Sequence, residues 1–445
     1  MSASPQTGTL DAENQPKTNP ATVAVASFVG TTVEYYDFFI FGTAAALVFP
    51  RLFFPDANPL TGTLLSFATL GVGFLARPLG GVVFGHFGDR VGRKKMLVIT
   101  LLGMGLATIL MGLLPGYATI GIAAPILLTL LRLVQGFMVG GEWGGATLMA
   151  VEHAPAGRRG FFGAFPQMGA PAGVALATGA FLIAATLPDE AFLDWGWRVP
   201  FLLSALLVGV GLVIRLAVSE SPAFQVMEEK DEKVALPIAT AFKYHWRPIL
   251  LIAGTYLSQG VLAYICMSYM VNYGSRVVGV PRVEALIGVL VAAVIATVAY
   301  PIFGALSDFW GRKTMYLLGA VLMLLSIFPA YLLINTGYTL LFVLGITLMF
   351  GIAMPPAAGV TGPLMSMVFP KEVRYSGASI GYTISQVAGA AFAPMIATAI
   401  FGATGSWVFV AIYLTVVCTI SVISVLALPR PMGRREAELQ RQEVH

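Results

Sequence analysis

Twelve apolar runs, each long enough to cross a bilayer as a helix, divide this sequence and leave little of it for anything else. They lie near 23–50, 60–87, 96–115, 120–150, 160–186, 198–218, 248–274, 283–306, 314–335, 338–366, 377–401 and 405–428. A helical span needs about 20 mainly apolar residues. Glycines and prolines inside the runs do not break them, because spanning helices tolerate both. Only 11% of the 445 residues are charged and 57% are hydrophobic, against roughly 25% charged in a soluble chain. Such a surface has to face lipid. The fold class that follows is all-α and integral to the membrane, with twelve transmembrane helices.

Basic residues set the orientation. With both termini on one side, that side holds twenty Lys and Arg, including Arg90, Arg93, Lys94 and Lys95 in one short loop. The opposite side holds four: Arg51, Arg198, Arg276 and Arg282. The rich side is expected to be cytoplasmic. A net charge of +4 is thus spent on topology, and no basic face remains for nucleic acid. Cys266 and Cys418 lie in separate apolar runs, so neither a disulfide framework nor a metal site is indicated. No cofactor is expected. The first 22 residues read as a disordered tail without the regions of a signal peptide.

The chain repeats itself. Gly85-x-x-x-Asp89-x-x-Gly92-Arg93-Lys94 follows the second run, and Gly304-x-x-x-Asp308-x-x-Gly311-Arg312-Lys313 follows the eighth, 219 residues later at every matched position. The expected organisation is two pseudo-symmetric six-helix halves, 23–218 and 247–428, joined by a cytoplasmic linker over 219–246. Cytoplasmic tails cover 1–22 and 429–445. Parallel repeats of this kind place a transporter's substrate site between the halves, near mid-membrane.

The repeated loop resembles the signature of the major facilitator superfamily, and Arg132-x-x-Gln135-Gly136 resembles its fourth-span motif. Glu34-Tyr35-Tyr36-Asp37-Phe38, Arg77-Pro78, Gly140-Gly141-Glu142-Trp143-Gly144-Gly145 and Trp195-Gly196-Trp197-Arg198-Val199-Pro200 are similar to the metabolite:proton symporter branch. That branch includes carriers of shikimate, citrate, 2-oxoglutarate, proline and betaine. The resemblance implies a plasma-membrane carrier of the bacterial inner membrane, functional as a monomer, whose partners are a small molecule, a proton and the bilayer. It also implies that Asp89, Arg90, Arg93, Asp308 and Arg312 form a cytoplasmic gate.

An ionisable residue inside a span costs about 2.5–3.5 kcal/mol on insertion scales. Five stand out, all in the first half: Glu34, Asp37, Arg77, Arg132 and Glu142. Glu34 and Asp37 share one helix face, and counting along the spans puts Asp37 and Arg132 near mid-membrane. A contact between them would suit a coupled carrier, since a neighbouring Arg and loss of water move a carboxylate's proton affinity in opposite directions. Proton coupling is therefore expected at Asp37, Glu34, Arg132 and Glu142, unless these charges only lock helices together. Arg77 and Arg132 could hold a carboxylate by paired hydrogen bonds. Polar partners for the substrate are expected from Gln135, Gln167, Tyr256, Gln259, Tyr264, Tyr382 and Gln386; Ser268, Asn272 and Ser385 are further cavity candidates. The prolines at 355 and 356 predict a bend in the tenth span.

The function expected is proton-coupled uptake of a small organic acid such as shikimate, by alternating access, rather than catalysis. A zwitterionic osmolyte such as proline or betaine is the alternative substrate. An intramembrane enzyme is a remote alternative, because no H-E-x-x-H or G-x-S-x-G motif is present. If Asp89 serves the gate and not the pocket, Asp89→Asn slows turnover with little change in substrate affinity. Direct binding measured beside the cycling rate checks this.

Overall fold

The computed structural model describes residues 20–91, 93–140, 151, 154–155, 157–217, 237–365, 367–369 and 374–428. Every regular element among them is helical. The first six spans are Pro20–Leu47, Pro59–Val91, Arg93–Leu113, Ala123–Val139, Arg159–Ala185 and Arg198–Ala217. The seventh, Pro237–Tyr264, continues through a π turn, Ile265–Tyr269, to Tyr273. Arg282–Trp310 and Arg312–Ile334 are the eighth and ninth. The tenth starts as Thr339–Ile346, and the eleventh runs as Arg374–Ser385 and Ala393–Thr404 about a π turn, Gln386–Ala390. Trp407–Ala427 is the twelfth.

One boundary differs from expectation. The seventh span begins at Pro237 and not at 248, so the last part of the expected linker is helical. It bends at His245, where the backbone leaves helical geometry (φ −127°, ψ 24°). Pro248 causes this, because its ring clashes with the carbonyl four residues back. The fourth span is described only to Val139, and 141–150, with Glu142, lie outside the described residues, as does most of the linker. The tenth span bends as expected. A π stretch, Thr347–Ala353, precedes Pro355–Ala358, and helix resumes at Thr361–Met365.

Exposure is inverted relative to a soluble protein. Leu102, Leu106, Leu110 and Leu113 form an exposed stripe down the third span, and Val294, Val298 and Ile302 do so on the eighth. A surface this apolar is stable against lipid tails and not against water. Asp37, Arg132 and Gln135 are wholly buried. Hydroxyls along the spans bond back to their own helices, as Thr129 does to Pro125 O, Thr297 to Ala293 O and Thr415 to Ala411 O, each at 2.8 Å. No polar hydrogen is then left facing hydrocarbon.

The two halves repeat one packing plan. The first span packs on the fifth as the seventh does on the eleventh. The second packs on the fourth as the eighth does on the tenth, and the third on the sixth as the ninth does on the twelfth. The halves meet chiefly along the fifth and eighth spans, and again where the second meets the eleventh. Within the first half, the second and fourth spans cross with backbone against backbone. A methyl group added at Gly136 would overlap the carbonyl oxygen of Gly73, and one at Gly140 that of Arg77. The four-residue glycine spacing is thus a packing seam. Gly136→Ala is expected to lower stability by about 1–3 kcal/mol, the usual cost of overpacking. An unchanged melting temperature of the purified protein would contradict that crossing.

Candidate substrate and proton site

The seam carries Arg132 and Arg77 into the middle of the first half. The Arg132 guanidinium stands 3.8 Å over the ring of Phe38 and 4.2 Å over that of Phe41. Arg77 rests on the same Phe38 ring at 4.2 Å and on Phe74 at 4.6 Å. Arg132 donates Nη1 to Gln135 Oε1. Its Nε and Nη2 are buried without a hydrogen-bond partner, as is Nε of Arg77. No carboxylate among the described residues lies within ion-pair distance of Arg132.

Asp37 is not that partner. It turns away, toward the third and sixth spans, and accepts from Ser204 Oγ at 2.5 Å and Thr108 Oγ1 at 3.3 Å. The expected contact between Asp37 and Arg132 is therefore indirect. Gln135 bridges them, since its Nε2 donates to Thr108 Oγ1 at 2.8 Å and to the backbone oxygen of Asp37 at 3.3 Å. The single Thr108 hydrogen is shared between Met104 O of its own helix at 2.9 Å and Asp37 Oδ2 at 3.3 Å, and when it turns to Asp37 the bonds run Asp37, Thr108, Gln135, Arg132. Gln135 belongs to this set of bonds and, like Arg132, does not line the central cavity in this structure. Glu34, one turn earlier on the first span, is also buried. It lies within electrostatic reach of Tyr35, Tyr264 and Tyr382, and Arg77 reaches the same Tyr264 and Tyr382.

Between the halves is a cavity of about 40 Å³, room for a few waters at ~10–15 Å³ each. Gln167, Tyr256, Gln259, Tyr264 and Gln386 line it as expected, facing Tyr35, Tyr300 and Met354. Tyr382 stands just behind, bonded to Tyr35 (3.1 Å) and accepting from Gln386 Nε2 (2.8 Å). Gln259 Nε2 donates to Tyr316 Oη (2.6 Å) and Thr361 Oγ1 (3.0 Å). Nε2 of Gln167 and Oε1 of Gln386 are buried without partners. Tyr264 packs on Phe38, Phe39 and Phe74, so one aromatic layer separates the cavity from both guanidinium groups. Ser268, Asn272 and Ser385 do not line the cavity. Asn272 instead bonds to the backbone of Ala46 at 2.9 Å. The π turns of the seventh, tenth and eleventh spans begin or end at cavity residues Tyr264, Met354 and Gln386. Single π turns often mark functional positions.

Sequence reasoning missed Ser204, Thr108, Tyr300 and the role of Phe38. Ser204 and Thr108 are small hydroxyls in apolar spans, a type that normally bonds to its own helix. Phe38 sits inside the Glu34–Phe38 motif, but an aromatic ring in an apolar run gives no sign of the guanidinium groups it will meet.

At the side with the signature loops, Asp308 accepts from the backbone N–H groups of Gly160 (2.8 Å) and Phe161 (3.1 Å) and pairs with Arg312 at 3.7 Å. It thus caps the fifth helix from the other half. The side chains of Asp89, Arg90 and Arg93, its counterparts in the first repeat, lie outside those described. The Trp195–Pro200 motif is structural: Arg198 Nη1 caps the third span through the carbonyls of Gly112 and Leu114, both at 2.8 Å, and Tyr36 Oη donates to Pro200 O at 2.7 Å.

Comparison with known proteins identifies the family. Residues 22–240 match the family described as Sugar (and other) transporter, and 284–445 match the Major Facilitator Superfamily. An inner membrane metabolite transport protein of Escherichia coli is 44% identical over 87% of this chain and 90% of its own. The chain belongs to the major facilitator superfamily. The Escherichia coli shikimate transporter is 41% identical, covering 96% of this chain and 98% of its own, and the proline/betaine transporter of that organism is 35% identical, covering 92% and 83%. The solved xylose transporter from Escherichia coli, in a partially occluded inward open conformation, shares the fold with a TM-score of 0.70 at 18% identity, covering 92% of this chain and 96% of that one.

Proposed function

We propose that this superfamily member takes up a small organic monoacid, shikimate or a related carboxylate, together with a proton, by alternating access. It would sit in the bacterial inner membrane with both termini cytoplasmic and act as a monomer. One observation carries the reading: Arg132, buried near mid-membrane, has two unpartnered donors and no neutralising carboxylate among the described residues. An anion is the ligand that would relieve it, and the planar fork suits a carboxylate gripped at two points. Phe38, Phe74 and Tyr264 would have to shift for the substrate to reach it from the cavity, whose Gln and Tyr groups suit ring hydroxyls.

Asp37 is the proton carrier in this scheme. Its two side-chain partners are hydroxyls, and a hydroxyl both donates and accepts. Ser204 and Thr108 can therefore serve the carboxylate and, after rotating, the neutral acid. An arginine in their place could serve only the ionised form. The chain through Thr108 and Gln135 ties proton occupancy of Asp37 to the position of Arg132, which is the coupling a symporter needs. Asp37→Asn is expected to abolish uphill accumulation while leaving exchange across equal gradients. Full gradient-driven accumulation by that variant would remove Asp37 from the mechanism.

A zwitterionic osmolyte is the second reading, favoured by the aromatic cavity wall, which suits a quaternary ammonium. Binding of shikimate, its neutral amide and glycine betaine to purified protein separates the readings. The wild type is expected to prefer the acid to its amide. Arg132→Lys should weaken acid binding roughly tenfold or more, the scale of one charged hydrogen bond, and lose most of that preference. Arg77→Lys should lose less. Equal discrimination by wild type and Arg132→Lys would assign Arg132 to structure alone. Tighter binding of glycine betaine than of shikimate would favour the second reading.

A further inference from the structure

The eighth span lies along the fifth, and it grips that helix at both ends with opposite charges. At the N-terminus of the fifth helix stands Asp308, bonded to the N–H groups of Gly160 and Phe161. At the C-terminus stands Arg282, the first residue of the eighth helix. Arg282 donates Nη2 to Ala185 O at 3.0 Å and to Leu187 O at 2.7 Å, and Nε to Ala185 O at 3.3 Å. It also pairs with Asp189 at 2.5 Å and stacks over Phe192 at 4.5 Å. Each charge matches the helix end it meets, acid at the positive end and base at the negative end.

Arg198 caps the third span in much the same way, but both of its partners belong to its own half. That cap can stay closed throughout a transport cycle. The Arg282 cap joins the two halves on the side opposite the signature loops, so the halves cannot part there while it holds.

We propose that Arg282, acting on the carbonyls of Ala185 and Leu187 and on Asp189, is the outer latch of the carrier, opposed to the Asp308 latch on the cytoplasmic side. The inference rests on the alternating-access reading above. The carbonyl bonds carry most of the hold. Asp189 is 70% exposed, and an ion pair to so exposed a carboxylate adds little. Releasing the outer latch moves the population toward a state open to the periplasm, and releasing Asp308 moves it the other way. Because both latches are closed together here, losing both favours the two open states over the closed one.

Distances between spin labels test this without any substrate. One pair sits on exposed periplasmic positions, Thr119 and Thr336, and the other on cytoplasmic positions, Arg158 and Trp246. Arg282→Ala is expected to raise the ratio of long to short periplasmic distances about tenfold, the scale of lost bonds to a charged donor, and to leave the cytoplasmic pair short. Arg282→Lys, which keeps the charge but not the fork that bridges two carbonyls, should shift the same ratio less. Asp189→Asn should hardly move it. Asp308→Asn should lengthen the cytoplasmic pair, and the double variant with Arg282→Ala should populate long distances in both pairs. Should Arg282→Ala fail to fold, Arg282→Lys reads the same ratio. Wild-type distances in the Arg282 variants, or lengthening on the cytoplasmic side, would overturn the latch. Failure of every acid to be transported would count against the proposed function and leave these distances to decide the latch alone.

Discussion

A guanidinium at the centre of a bilayer has no water to turn to, and much of the first half is arranged around that fact. Arg132 is accommodated by the rings of Phe38 and Phe41, by one bond to Gln135 and by Gly73, whose missing side chain leaves room for it. Cation–π contact is worth about 2 kcal/mol or more when water is excluded, close to the 2.5–3.5 kcal/mol that insertion of the charge costs. The remainder is two donors without acceptors. The fold keeps the charge in place and leaves its hydrogen-bonding capacity unused, as a site for an anionic ligand should.

Asp37 shows the complementary solution. It lies close to that charge in the chain of hydrogen bonds and yet makes no ion pair with it. Thr108 and Gln135 stand between the carboxyl and the guanidinium, the arrangement that the proposed proton role requires. Among the described residues, the second half supplies no charge at this depth. It contributes Tyr and Gln side chains and three helices whose regular hydrogen bonding is interrupted beside the cavity.

The spans, the two halves and the signature loops were legible because each leaves a chemical mark: apolar length, the 219-residue offset, and Gly-Asp-Arg-Lys clusters no lipid-facing helix would hold. Five cavity residues, Gln167, Tyr256, Gln259, Tyr264 and Gln386, were legible as polar groups in apolar runs. What was not legible depended on how helices rotate about their axes. Asp37 and Arg132 stand at similar depth, but rotation turns Asp37 toward Ser204 and places an aromatic ring where an ion pair was expected. Tyr300 precedes a proline in the eighth span, and its address in the cavity depends on packing against Met354. The start of the seventh span at Pro237 was hidden because Lys243, His245 and Arg247 look like linker.

The crossing of the second and fourth spans has one more consequence. Where Gly73 meets Gly136, and Gly140 meets the backbone of Arg77, there is no side chain to act as a bearing, so the two helices cannot slide or roll past each other. Arg77 and Arg132 ride on this weld, and their spacing over Phe38 is preserved however the halves tilt. The π turns that border the cavity are all in the second half. On the proposed reading, the first half is the jaw whose backbone holds both guanidinium groups at one spacing, and the second is the jaw that shapes itself to the ligand.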